Sequence, residues 1–399
     1  MASTPDGRDP PPARAGAATV SRFKLPQVGT TIFTVMSRRA AECGAINLGQ
    51  GFPDFEPPAA LLDRVTHHLR AGHNQYAPMA GVPSLLEAIA VDIGQRHAVV
   101  VDAATEVTVT AGGTEAIFCA IQAVVHPGDE VVLLDPCFDC YAPAVELAGG
   151  RSVHVPLKPP AFGIDFDRLA AAIGPRTRLV VVNTPHNPAG GLVDAGDWQR
   201  LAALLEGSEA LVLSDEVYER LVYDGRRHVS VLSVPALRER AFAVFSFGKV
   251  CNATGWKVGY CVAPPALTTA LRKVHQFVTF AVSAPVQWAL ADFLASRPAF
   301  LDDLAAFYQS RRDRFIALLE GSRFTLTPSP GTYFQLVDYS AVSTAGDVDF
   351  CGELIDRHGV AAIPLSPFCE TPPDSRLLRF CFAKSDATLE AAAGRLCAV

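Results

Sequence analysis

Five short apolar runs rich in β-branched residues punctuate the middle of this chain: VTVT (107–110), VVLL (131–134), LVVV (179–182), LVLS (211–214) and FAVF (242–245). Each is too short for a helix and carries no charge, so each reads as a strand buried on both faces. Helical patterns lie between them, among them TEAIFCAIQAVV (114–125) and DWQRLAALLE (197–206). This strand–helix alternation predicts an α/β fold with a mostly parallel central sheet between helices. Functional groups of such a sheet gather at the carboxyl ends of its strands. Past about residue 265 the rhythm changes to long helical stretches, ALTTALRKVHQF and FLDDLAAFYQSRRDRFIALLEG. The β segments YFQLVDY (333–339), GVAAIP (359–364) and LLRFCFA (377–383) follow, interrupted by the helical DVDFCGELIDRH. That region predicts a smaller α+β domain packed on the first.

A length of 399 residues with 49% hydrophobic content supports two packed domains, or one large domain with an appendage. Lys+Arg 34 against Asp+Glu 41 gives a net charge of −7 without long charge runs, which argues against a nucleic-acid surface and for small-molecule chemistry. No apolar stretch approaches the ~18 residues of a membrane span. The opening MASTPDGRDPPPARAGAATV lacks the apolar core of a secretory signal, and Asp6 and Asp9 fit a mitochondrial presequence poorly. Residues 1–22 are expected to form a flexible tail, and the cytoplasm is the expected compartment. Of ten cysteines, Cys137 and Cys140 alone form a CxxC pair, without a second pair or nearby histidine pair to complete a ligand set. No metal is expected.

Four motifs fall at the predicted strand ends. TAGGTEAI (110–117) places glycines between a strand and a helix, where free N–H groups and the helix dipole make an anion cradle. NTPHNPAGG (183–191) alternates asparagine with proline, which stiffens a loop carrying amides. SDEVYERL (214–221) sets Asp215 and Tyr218 after a buried strand, where a carboxylate needs a cationic partner. SFGKVCNATGWKVGY (246–260) holds Ser246, Lys249 and Lys257, two lysines eight positions apart in a setting poor in other charge. A phosphate cradle, a buried acid, a phenol, an amide and a lysine at one sheet edge match what pyridoxal phosphate requires.

The chain resembles the class I/II aminotransferases of the fold type I pyridoxal-phosphate family from about residue 24 to its end. The resemblance is carried by NLGQGFPDF (47–55), NQYAPMAGVPSLLEAI (74–89), TAGGTEA, DPCFDCYAP (135–143), NTPHNP, SDEVYE, SFGK…TGWKVGY and LRFCFAK (378–384). Within the family it is most similar to the kynurenine/glutamine transaminase group and its bacterial methionine aminotransferases. HNQYAPM, TGWKVGYCVAP, RKVHQ, GTYFQLVDYSAVS, VAAIPLSPFC and CFAK carry that finer match.

The resemblance implies an N-terminal arm over 23–45, a large cofactor-binding domain over 46–290 and a small C-terminal domain over 291–399. It makes Lys249 the Schiff-base and proton-transfer lysine, and Asp215 the partner of the pyridinium nitrogen. It sets Asn187 and Tyr218 at the ring oxygen and Phe138 on the ring face. Gly113, Thr114, Ser246 and Lys257 would hold the phosphate, with Tyr76 reaching in from the second subunit of a homodimer. Arg379 would take the substrate α-carboxylate, with Gly51 as a backbone donor beside it and Asn183 behind. The implied reaction moves the amino group of methionine, and of glutamine, aromatic amino acids or kynurenine, to a 2-oxo acid. A cysteine-conjugate C–S β-lyase using the same residues is the alternative. Val250-Cys251-Asn252 departs from the Ser/Thr/Tyr-type residues frequent after the lysine, which leaves the side-chain pocket open. Ile32, Phe33, Phe280 and Phe368 are either its walls, Phe280 from this subunit or its neighbour, or ordinary core. No second arginine stands at a motif position to pair with a side-chain carboxylate, so aspartate and glutamate should be poor donors.

Overall fold

The computed structural model of the protein describes residues 24–399, and the expected tail over 1–22 lies outside them. Its strands, in chain order, are β1 Ile46–Asn47, β2 Val107–Thr110, β3 Glu130–Asp135, β4 Arg151–Pro156, β5 Thr177–Asn183, β6 Leu211–Asp215, β7 Ala241–Ser246, β8 Gly259–Val262, β9 Thr325–Leu326, β10 Phe334–Asp338, β11 Val360–Ala361, β12 Ile363–Pro364 and β13 Leu377–Cys381. All five apolar runs are strands of one seven-stranded sheet in the order β2-β8-β7-β6-β5-β3-β4.

Its strands run parallel except β8, which is antiparallel to both β2 and β7. Every residue of β2, β3 and β8 is buried, as strands covered on both faces must be. The helix Gly113–Val124 packs on β6, β7 and β8, and the helix Pro265–Val278 packs on it in turn. The sequence reading did not single out β4 or β8. β4 is a half-exposed edge strand, so Arg151 and His154 interrupt its apolar pattern. β8 reverses direction because its link to β7 holds no more helix than Phe247–Val250 and one 3-10 turn, too little for a parallel return.

The C-terminal region forms a four-stranded antiparallel sheet, β12-β13-β10-β9. The helix Asp347–His358 precedes β11 and ends at Gly359, whose φ of 64° is the left-handed stop that glycine adopts without a Cβ clash. β1 pairs in parallel with β11, Ile46 opposite Val360. The arm helix Ile32–Glu42 packs on the helix Asp347–His358, β11 and β12. The N-terminal segment therefore lies on the C-terminal region, and this brings Phe33 to the mouth of the site.

Candidate active site

The anion cradle forms where β2 turns into the helix Gly113–Val124. Gly112 caps that helix at φ 80°, ψ 173°, a conformation closed to residues with a Cβ. A Cβ on Gly113 would stand 2.9 Å from Val217 Cγ1, and one on Gly112 3.4 Å from Lys257 Nζ. The glycines thus keep the helix N-terminus open beside a lysine ammonium. Lys257 is itself left-handed, at φ 53°. A Cβ at Gly259 would lie 2.6 Å from Phe245 O and 2.9 Å from Gly113 N, so β8 reaches the cradle because this position is bare.

Asp215 ends β6 and is 4% exposed. Tyr141 Oη donates to its Oδ2 at 2.5 Å. Burial pushes the Asp215 carboxyl up to about 6, against the opposing pull of Tyr141, the Val217 N–H and Lys249. Behind it, Asn183 Nδ2 donates to the Asp215 carbonyl at 2.8 Å, and Asn183 Oδ1 accepts from the Asn187 N–H at 2.7 Å. The asparagines of NTPHNP are thereby locked to the end of β6.

Lys249 stands three residues beyond β7 on the short helix Phe247–Val250. Burial, with Lys257 adding like-charge repulsion, brings its amine down to about 8. Its Nζ donates to Tyr333 Oη at 3.1 Å and lies 5.4 Å from the centre of the Tyr218 ring. Burial pushes the Tyr218 phenol up, so it stays protonated at neutral pH.

Arg379, on β13, is 1% exposed. Its Nη1 donates to Asn187 Oδ1 at 2.8 Å and its Nη2 to the Gly49 carbonyl at 2.7 Å. The guanidinium lies 3.9 Å from the Phe334 ring centre and 5.0 Å from that of Phe33. Its Nε is buried without a partner among the described residues, an orphan donor that calls for an anionic ligand. A Cβ at Gly51 would meet Phe334 Cζ at 2.8 Å, so this glycine lets the phenyl ring close over the arginine.

One cavity of about 220 Å³ collects these groups. Gly51, Gly113, Thr114, Phe138, Asn183, Asn187, Asp215, Tyr218, Ser246, Lys249, Lys257 and Arg379 all line it, with Phe33, Gln50 and Phe334. Tyr76 does not: it is 86% exposed and packs edge-on against Phe280, ring centres 5.6 Å apart. Phe368 is buried behind Phe33 at 5.4 Å, and Phe280 and Ile32 also lie off the cavity wall. Of the four apolar pocket candidates, Phe33 alone faces the site of its own chain.

The sequence reading missed Tyr141, Tyr333 and a pair that braces the cradle. The Glu115 carboxylate accepts from the Ala111 N–H and meets His275 Nδ1 at 2.6 Å, while His275 Nε2 faces the Met79 carbonyl at 3.0 Å. Burial pulls the His275 pKa down, but the Glu115 contact outweighs it and the net shift is upward. Glu115 and His275 sit inside the quoted TAGGTEA and RKVHQ, 160 residues apart, and nothing local pairs them. Cys137 likewise comes within 4.8 Å of Asp135 and His154. Asp135 there accepts from the Glu370 N–H at 2.8 Å and the Cys137 N–H donates to Phe368 O at 2.8 Å, which fastens the Phe368 loop to β3.

The family described as aminotransferase class I and II matches residues 44–396. Methionine aminotransferase of Escherichia coli (strain K12) is 52% identical over 377 residues, 94% of this chain and 98% of that protein. Human kynurenine–oxoglutarate transaminase 1 is 34% identical over 386 residues, 88% of this chain and 92% of that one. A crystal structure from Escherichia coli described as having a methionine aminotransferase function superposes with a TM-score of 0.93 at 51% identity, covering 95% and 100% of the two chains. The N-succinyldiaminopimelate aminotransferase of Mycobacterium tuberculosis superposes with a TM-score of 0.92 at 38% identity, covering 95% and 99%.

Proposed function

The chain belongs to the class I and II aminotransferases, and on that premise we propose that it moves the amino group of methionine to a 2-oxo acid, with glutamine, aromatic amino acids and kynurenine as secondary donors. It is a pyridoxal-phosphate-dependent transaminase of fold type I. The observation that carries the reading of its site is the single cavity in which Lys249, Asp215 and the glycine cradle face Arg379.

The residues fit the cofactor. The bare Gly112–Gly113 turn, Thr114, Ser246 and Lys257 would hold the phosphate, and Phe138 would stack on the ring. Asp215, a buried carboxyl raised to about 6, gains from a cationic ring nitrogen that would hold it ionised. Asn187 Oδ1 is taken by Arg379, which leaves its Nδ2 to join Tyr218 Oη at the ring oxygen. When bound, pyridoxal phosphate supplies an aldehyde carbon that takes up the amino group and an electron-withdrawing ring that acidifies the substrate Cα–H. Lys249 removes the Cα proton. With a pKa of about 8, about half of its amine is neutral near pH 8, where an ordinary lysine would be almost wholly charged. Arg379 holds the α-carboxylate through Nε and the N–H groups that Asn187 and Gly49 leave free, and Gly51 lies beside it.

Phe33 and Phe334 give the substrate side an apolar wall, and Arg379 is the sole arginine among the residues lining the cavity. A thioether suits that wall, whereas a second carboxylate would be desolvated without a partner. No observation favours the β-lyase alternative. Tyr76 and Phe280, 86% and 44% accessible, form an exposed aromatic pair, which we assign to a second copy of the chain, with Tyr76 completing the partner's phosphate site. We place the enzyme in the cytoplasm; among the described residues no helix is long and apolar enough to cross a membrane.

A panel of methionine, glutamine, kynurenine, phenylalanine, leucine and aspartate against several 2-oxo acids tests the donor. Methionine should exceed aspartate in kcat/KM by at least about tenfold, or about 1.4 kcal/mol. A preference for aspartate overturns the donor assignment.

A further inference from the structure

Tyr333 lies off the cavity wall, yet it touches two parts of the site. Its hydroxyl accepts from Lys249 Nζ at 3.1 Å and donates to the Gly51 carbonyl at 2.6 Å. We propose that Tyr333 is a positioning residue for Lys249, holding the amine on the proton-transfer path whenever it is not bonded to the cofactor and tying it to the segment that receives the substrate carboxylate. The proposal rests on the assignment of Lys249 made above.

The geometry assigns the direction of each bond. A phenol carries one proton, and Tyr333 directs it at Gly51 O, an acceptor with nothing to donate. Toward Lys249 the phenolic oxygen then acts as an acceptor, so it takes an amine N–H and leaves the nitrogen lone pair free for the substrate proton. Burial pushes the Tyr333 phenol up, which keeps it from ionising and competing as a base. Tyr333 can therefore steer Lys249 without exchanging a proton with it.

The hydroxyl has a fixed origin because the backbone beneath it is clamped from both sides. Thr332, at φ 63°, donates its N–H to Leu221 O at 2.9 Å, and its carbonyl accepts from Tyr223 Oη. The Tyr333 carbonyl accepts from the Phe382 N–H at 3.0 Å. Leu221 follows the Asp215–Tyr218 loop and Phe382 follows β13, so the phenol is referenced at once to the cofactor wall and to the strand of Arg379. The rings of Tyr218 and Phe334 pack edge-on against it at 5.1 and 4.9 Å. A side chain 0% exposed and held in this way has little freedom to follow the lysine. The lysine must come to it.

Tyr333→Phe tests the inference, since it keeps the ring and removes the oxygen alone. Two readouts are taken. In the cofactor-free protein, the pH midpoint for covalent capture of added pyridoxal phosphate, followed by absorbance, reports the Lys249 amine. Loss of an acceptor that favours the ammonium should move this midpoint down by about half a unit or more. In the loaded enzyme, kcat with methionine should fall about tenfold with KM within about twofold, and the isotope effect from Cα-deuterated methionine should grow as proton transfer becomes slower. An unchanged midpoint and kcat overturn the inference, and so does a collapse in melting temperature, which would make Tyr333 a packing residue. Lys249→Ala runs beside it. Covalent capture that survives in that variant overturns the assignment of Lys249 itself, and the inference with it; capture lost there, with Tyr333→Phe like the parent, overturns the Tyr333 inference alone.

Discussion

On the side of the cavity that we assign to the cofactor, Gly113, Phe138, Asn187, Asp215, Tyr218, Lys249 and Lys257 all stand within four residues of a strand end of one sheet. On the side that we assign to the substrate, Phe33 comes from the arm helix, Gly51 from the loop after β1, Phe334 from β10 and Arg379 from β13. Arg379 reaches its partners Asn187 and Gly49 across 192 and 330 residues of chain. Strands buried on both faces give the first set a rigid frame, whereas the second depends on how the arm and the C-terminal region dock. Damage to the first side should therefore remove the chemistry, and damage to the second should redistribute it among substrates.

Lys249→Ala should produce the largest effect. Loss of the covalent anchor and the proton-transfer base together should lower methionine-dependent kcat on the order of 10⁴-fold, and gel filtration should strip the yellow colour. Retained colour and turnover would mean that the cofactor side is not organised around this lysine.

Asp215→Asn sharpens the contrast by separating stability from function. Removing one partner of a buried carboxylate–pyridinium pair costs about 3–5 kcal/mol, so Cα proton removal in single-turnover measurements should slow by about 10² or more. The cofactor-free protein should move the other way. Its Asp215 pKa is about 6, against 3.8 for the ordinary group, so between those values the folded state holds more protons than the unfolded one. Stability is lost as pH rises through that window, and the deficit is complete above about 6. The variant should therefore be about 3 kcal/mol more stable than the parent near pH 8, with the gain shrinking as pH falls from 6 toward 4. Denaturant titrations at both ends would expose an opposite trend.

On the substrate side, Arg379→Lys keeps the charge but loses the planar fork. We expect kcat/KM for methionine to fall about 100-fold, close to 3 kcal/mol, with cofactor absorbance unchanged. Loss of the cofactor would show that the two walls are not separable. Phe33→Ala should give the smallest effect, a three- to tenfold loss for methionine, about 1 kcal/mol, and little change for aspartate. Equal losses for both donors would assign Phe33 to packing.

Asp215 and Lys249 were legible in the linear chain because their signals are local: an apolar strand run, then a charge, then small residues. The same locality made the glycine cradle and the Asn-Pro loop readable, and the five runs implied the parallel sheet. Arg379 was readable through its resemblance to a family motif, since LLRFC by itself is a strand with one charge. Tyr333 was hidden in YFQLVDY, where an aromatic residue opening a strand is what packing alone would choose. Tyr141 and the Glu115–His275 pair were hidden in the same way, each residue inside a helix with its partner far along the chain. The reversed direction of β8 and the docking of Phe33 beside Phe368 were likewise beyond the linear pattern. Propensity and spacing act over a few residues and so determine elements and the groups at their ends. Which hydroxyl meets Lys249, and which ring closes over Arg379, is decided by contacts between segments hundreds of residues apart, which exist once the whole chain has folded.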